Sequence, residues 1–86
     1  MKPDRQTLIN TAFDILHSIA PEIEAAEIDL TQALRQQVDL DSMDWLNFLL
    51  GLHERLGVDI AESDYIRLIS LNDVVDYIQA RLGNEV

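Results

Sequence analysis

Cysteine is absent from the 86 residues. That absence removes disulfides, thiolate zinc sites and any thiol nucleophile supplied by the protein itself. Basic residues are scarce: six Lys and Arg stand against sixteen Asp and Glu, a formal charge of −10. Such a balance opposes nonspecific binding to nucleic acid or to an anionic membrane, and it favours basic protein surfaces as partners. Long apolar runs are missing, so stable insertion across a bilayer is not expected. The N-terminus also lacks the charged start, apolar core and cleavage pattern of a signal peptide, and a cytoplasmic location is the expectation. What is present is enough apolar material, 48% of residues, to argue against disorder and for one small core.

The apolar residues recur at helical spacing. Leu8, Ile9, Ala12, Phe13, Ile15, Leu16 and Ile19 share a broad face, Asp4 is placed to cap it, and Pro21 halts it. A first helix is predicted over about 4–20. Its His17 reads as a surface or boundary residue. Residues 21–41 read as a long connection with little regular structure, with a short helical turn near Thr31 to Arg35. Ile23, Ile28, Leu30, Leu34 and Val38 are too apolar for a free linker and pin it over the helices. The acids Glu22, Glu24, Glu27 and Asp29 lack the glycine-containing pattern of a calcium loop and read as a solvated face.

A second helix is predicted over about 42–56, with Trp45, Phe48, Leu49, Leu52 and Leu56 as its inward stripe. Met43, Leu46 and Leu50 are left less protected, beside Asp44, Asn47 and Glu54. They read either as satellite core contacts or as an apolar strip rimmed by acids. Ile60 is expected in the core. A short helix over about 62–68, capped by Ser63 or the residue before it, brings Tyr65 and Leu68 to the apolar centre. A last helix over about 71–82 has Ser70 as its cap and Leu71, Val74, Val75, Ile78 and Leu82 as its buried face. The fold class is all-α, with three main helices, one short helix and a long first loop.

The junction Asp39-Leu40-Asp41-Ser42 before the second helix is the chemically suggestive stretch. Ser42 can cap the helix by accepting a hydrogen bond from an unpaired backbone N–H, but Asp41 or Asp39 can do the same. Trp45 stands three residues on, where a reciprocal capping box would need Glu or Gln. Alternatively, a phosphate ester on Ser42 would lie at the positive end of the helix. Asp41 and Asp44 would then favour an exposed, tethered group over one docked tightly on the protein. Neither histidine has a persuasive nucleophile partner and no metal motif is present, so no catalytic residue and no metal site are expected.

The segment DLDSMDWLNFLLGLHERLGVDI, Asp39 to Ile60, resembles the attachment motif and recognition helix of an acyl carrier protein. Ser70-Leu71-Asn72-Asp73 and the following Val74 to Ile78 resemble the start and core face of that family's last helix. The resemblance covers nearly the whole chain, the N-terminal third by pattern only. It implies a single domain over 1–86, a small three-helix bundle with one further short helix, in which Leu34 is a packed anchor of the long loop.

It also implies 4'-phosphopantetheine carried covalently on Ser42. A phosphopantetheinyl transferase would install it from coenzyme A with a divalent cation, recognising Asp41, Met43 and Asp44. Leu46, Asn47, Leu50, Glu54 and Glu62 correspond to the docking surface for partner enzymes. Trp45, Leu49, Ile60, Tyr65 and Leu68 correspond to the lining of an acyl cavity. The acidic surface favours a monomer through self-repulsion. The resemblance implies a carrier and not an enzyme, its thiol imported on its cofactor. It would present acyl thioesters to acyl-transferring, acyl-activating or synthase enzymes with basic docking patches, in fatty-acid, specialised lipid or polyketide-type biosynthesis.

Several residues depart from the family pattern. Asn47 and His53 stand where acids are common, Trp45 where a smaller residue is usual, and Ala61 where many members have proline. These departures point to a specialised member. The DSM form also resembles dedicated D-alanine carriers, so an aminoacyl cargo stays open, as does an unmodified acidic helical module that binds proteins.

Overall fold

Asp4 accepts a hydrogen bond from the Thr7 N–H at 2.8 Å and so opens the first helix, α1, Arg5–Ile19. The computed structural model describes residues 4–83. After α1 the chain makes a 3-10 turn at Ala25–Glu27 and a single α-helical turn, α2, at Leu34–Gln37. The second long helix, α3, spans Ser42–Leu56. A short 3-10 helix covers Glu62–Arg67, and α4 spans Leu71–Gly83. The three main helices are α1, α3 and α4. The described residues hold no sheet, only an isolated antiparallel bridge between Ala33 and Ser70.

α1 packs against both α3 and α4. Leu8, Ala12 and Leu16 of α1, Phe48 and Leu52 of α3, and Leu71, Val74, Val75 and Ile78 of α4 are fully enclosed. Each set repeats at three or four residues, which puts it on one side of its helix. Gly51 lets α1 and α3 approach closely: a Cβ there would lie 2.8 Å from Cγ2 of Ile15. α3 stops at Gly57, whose φ of 67° is left-handed and whose N–H closes onto the His53 carbonyl at 2.8 Å.

The long first loop is held by its own backbone. Leu34 N–H donates to the Ile69 carbonyl at 2.8 Å, and Asn72 N–H donates to the Leu30 carbonyl at 3.0 Å. Leu34, Val38 and Leu40 are buried, which fixes the segment directly before α3. The side chain of Gln37 braces the loop from both sides, accepting from Asp29 N–H at 2.7 Å and donating to the Asp29 carbonyl at 2.8 Å. Arg5 ties the far end of α1 to α4 through Asn72, Asp76 and Gln79.

Three local expectations change. The loop contains more regular structure than its composition indicates, because its apolar residues fold it onto the helices. The short helix begins after Ala61 with no side-chain cap, so neither Ser63 nor Glu62 caps it. Ile60 is half-buried and packs against the edge of the core without entering it. Ser70 does cap α4 and the bond is returned: Asp73 N–H donates to Ser70 Oγ at 3.1 Å, and Ser70 N–H donates to Asp73 Oδ2 at 3.0 Å.

Candidate functional site

The start of α3 is made by Asp41. Its carboxylate accepts the Asp44 N–H at 2.8 Å and its carbonyl accepts the Trp45 N–H at 2.9 Å. The cap is therefore Asp41, and Ser42 is the first residue of the helix. Ser42 is exposed, and its hydroxyl makes no hydrogen bond to any other described residue. Nothing in the fold requires that hydroxyl. The N–H groups of Ser42 and Met43 are the donors left at this helix end, where partial positive charge favours an anion.

The two sides of α3 differ sharply. Trp45, Phe48, Leu49 and Leu52 face the core, with Trp45 only 6% exposed. Its ring lies 5.4 Å from that of Phe48, tilted by 33°. On the outer side Met43 is 67% exposed, Leu50 54% and Leu46 39%. Asn47, Glu54 and, beyond the turn, Glu62 are exposed around them, and Asp44 is partly covered. Met43, Leu46, Leu50 and Glu54 recur at three- and four-residue spacing and so share an open side of α3, while Asn47 and Glu62 are exposed as well.

The predicted cavity residues fall into two clefts. One, of about 310 Å³, lies between the end of α3 and the short helix; Leu49, Leu50, His53, Ile60, Tyr65 and Arg81 are among its walls. The second, of about 270 Å³, is formed by Trp45, Tyr65, Ile66, Leu68 and Ile69, with Arg35 at its edge. Tyr65 lines both. The five residues named from the sequence are therefore divided: Leu49 and Ile60 in the first cleft, Trp45 and Leu68 in the second, Tyr65 between them. His53 donates from Nδ1 to the Val58 carbonyl at 3.0 Å, which anchors its ring at the rim of the first cleft.

Arg35, Ile66, Ile69 and Arg81 were not singled out by sequence. Ile66 and Ile69 are 82% and 55% exposed, and their three-residue spacing on a short segment gave no reason to turn them outward. Arg35 carried a weak signal, as one of only six basic residues. Its placement depends on the loop fold. Among the described residues no group of three or more His, Asp or Glu side chains is arranged to hold a metal ion.

An accessible, unbonded serine hydroxyl on the first turn of a rigidly capped helix suits a phosphodiester, and an apolar face beside it suits a protein partner. These features fit a carrier-type helical domain. Residues 14–78 match the family described as phosphopantetheine attachment site. The chain is 36% identical over 62 residues to an acyl carrier protein of Campylobacter hominis, covering 72% of this chain and 73% of that one. It is 30% identical over 69 residues to an acyl carrier protein of Campylobacter jejuni subsp. doylei, covering 77% and 90%. With an acyl carrier protein of Chlamydia caviae the identity is 28% over 61 residues, covering 71% and 79%. The chain belongs to the acyl carrier protein family.

Proposed function

We propose that Ser42 is the attachment residue and that the protein carries acyl groups as thioesters on 4'-phosphopantetheine. The observation that carries this reading is the exposed Ser42 hydroxyl, free of any structural bond, at the start of a helix already capped by Asp41. Attachment joins Ser42 Oγ to the phosphorus of coenzyme A that bears the pantetheine. The serine proton passes to the transferase or solvent, and adenosine 3',5'-bisphosphate leaves. The group so installed supplies the thiol that the cysteine-free chain lacks.

The chain's own residues position and present. Asp41 holds the helix start in one geometry. Asp41, Met43 and Asp44 flank the hydroxyl and form the surface read by the phosphopantetheinyl transferase. Leu46 and Leu50, with Asn47, Glu54 and Glu62 around them, meet partner enzymes that carry basic patches. Contact of this kind combines a small apolar centre with rapid, charge-steered encounter and release. Tethering then raises the local concentration of cargo at a docked active site.

The cargo side of the molecule supports a specialised carrier. Trp45 fills space near the attachment residue, and Tyr65 stands between the two clefts. Both limit the room for a long alkyl tail, favouring short or aromatic cargo. Each buried CH₂ is worth about 0.8 kcal/mol, so the length of the accessible groove sets how much shelter a cargo gains.

The test is intact mass after incubation of the unmodified protein with a broad-specificity phosphopantetheinyl transferase, Mg²⁺ and coenzyme A. One added phosphopantetheine is expected, and none on Ser42→Ala. Failure to load the wild-type protein, under conditions that load another acyl carrier protein, would remove the proposal.

A further inference from the structure

We propose that Arg35 and the cleft walled by Trp45, Tyr65, Leu68 and Ile69 form a resting groove for the prosthetic arm, with the Arg35 guanidinium paired to the phosphodiester on Ser42. This inference rests on attachment at Ser42 and goes beyond it.

Three of the five arginines are paired with carboxylates, and Arg35, like Arg67, is not so paired among the described residues. Arg5 pairs with Asp76 at 2.6 Å, Arg55 with Asp14 at 3.7 Å and Arg81 with Asp64 at 3.3 Å. No carboxylate among the described residues pairs with Arg35. Its Nε instead donates to the Leu40 carbonyl at 3.3 Å, and its guanidinium carbon stands 6.0 Å from the centre of the Trp45 ring. Leu40 precedes Ser42 by two residues and Trp45 follows it by three, less than one helical turn of about 5.4 Å. The cation is therefore moored on both sides of the attachment serine. The bond through Nε leaves both terminal nitrogens, which make no hydrogen bond within the described chain, as a fork for an anion.

The surroundings explain why a cation is needed. Asp39, Asp41 and Asp44 lie within three residues of Ser42, and a phosphodiester added among them meets like charge. Arg35 is a positive group that the fold holds against Leu40 and Trp45, which flank Ser42 in sequence, and a guanidinium matches two phosphate oxygens at once. The apolar wall answers to the rest of the arm. Ile66 and Ile69 contribute little to the core, yet they flank the cleft that Trp45 opens one turn after Ser42. Methylene and geminal methyl groups laid against that wall would be covered from water, and Gln36 at the rim can bond an amide. Arg35 is thus a positioning residue: it holds the arm at rest along the protein and releases it when a partner supplies competing contacts.

The experiment uses isotope-labelled full-length protein loaded with unlabelled phosphopantetheine, with intact mass recorded on the same sample. Isotope-filtered NMR should show contacts from the arm's geminal methyl protons to the rings of Trp45 and Tyr65. The Arg35 Nε–H and Trp45 indole signals should shift between unmodified and loaded protein. In Arg35→Gln, which keeps a hydrogen-bonding side chain but removes the charge, the ring contacts should be lost while the amide spectrum of the fold is retained. A loaded sample without ring contacts, or one whose contacts survive unchanged in Arg35→Gln, would overturn the groove and leave attachment intact. A mass that never rises would overturn attachment at Ser42 and the groove with it.

Discussion

Tyr77 donates its phenolic hydrogen to Asp64 at 2.7 Å and so joins α4 to the short 3-10 helix. Arg81 closes the link, donating to the Tyr77 oxygen at 2.6 Å and to Asp64 at 3.3 Å, with its guanidinium 4.8 Å over the Tyr77 ring. The short helix has no fully buried residue of its own and no side-chain cap. Such a segment opens at low free-energy cost unless something ties it down, and here the tie is polar. The helix also forms part of both clefts through Tyr65, so its position governs the room available to cargo.

Removing the phenol should loosen that element selectively. Tyr77→Phe keeps the ring and removes the phenol's bonds to Asp64, Arg81 and the Ala61 N–H, a loss of about 1.5–3 kcal/mol in global stability. The larger effect should be local. Amide hydrogen exchange across 62–67 should accelerate, while exchange in the centre of α1 changes only by the global amount. Equal acceleration in both regions would show that the tie has no local role.

Gly51→Ala sets two effects against each other. Alanine gains about 1 kcal/mol in helix propensity. The added methyl would stand 2.8 Å from Cγ2 of Ile15, a branched carbon with no free rotation to retreat, and overpacking of this kind costs about 1–3 kcal/mol. The steric term wins. A lower midpoint in thermal or urea unfolding is expected, and a raised midpoint would mean that α1 and α3 separate more easily than their packing implies.

How far the sequence led can be judged from these same elements. The helical faces were legible because burial at a period near 3.6 is a one-dimensional signal, and Leu8, Phe48 and Val74 all answer to it. The helix start was legible to within one residue. Choosing Asp41 over Ser42 as the cap needed backbone geometry, since both side chains are good acceptors. The loop was read too loosely because Gln37 and the Leu30–Asn72 and Leu34–Ile69 bonds join residues distant in sequence. The clefts were only half legible. Their apolar walls follow from helix periodicity, but Arg35 reaches Trp45 through the loop fold and Arg81 reaches Asp64, seventeen residues away, through tertiary packing around Tyr77.

Asp41 and Ser42, adjacent in sequence, should separate by function. Asp41→Ala removes the cap of α3 and should cost about 1 kcal/mol of stability. Ser42→Ala removes an exposed hydroxyl without a structural partner and should leave stability within about 0.5 kcal/mol, while abolishing attachment of the cofactor. Urea unfolding and intact mass on both variants make the comparison. A destabilised Ser42→Ala would show that the hydroxyl supports the helix start after all.

Acid should weaken the two exposed aspartates that hold loop and helix ends. The backbone N–H of Thr7, followed by its side chain, holds the Asp4 carboxyl below the ordinary aspartate range. For Asp29 the Thr31 hydroxyl is the larger cause and the Thr31 N–H the smaller, again lowering it. A carboxyl depressed in the folded state binds its proton more readily when unfolded. Its stabilisation is therefore complete above the unfolded value and disappears as pH falls through the folded one. Both groups are open to solvent, so the effect is modest and readily screened. Asn at position 29 has no charge to lose. The stability difference between the wild-type protein and Asp29→Asn should therefore be largest at neutral pH and should narrow steadily toward about pH 3. Urea unfolding across that range, alongside carboxyl-carbon NMR titration of Asp4 and Asp29, measures both sides of the linkage. A difference that stays constant while the Asp29 carboxyl titrates would show that its bonds to Thr31 persist in the unfolded chain.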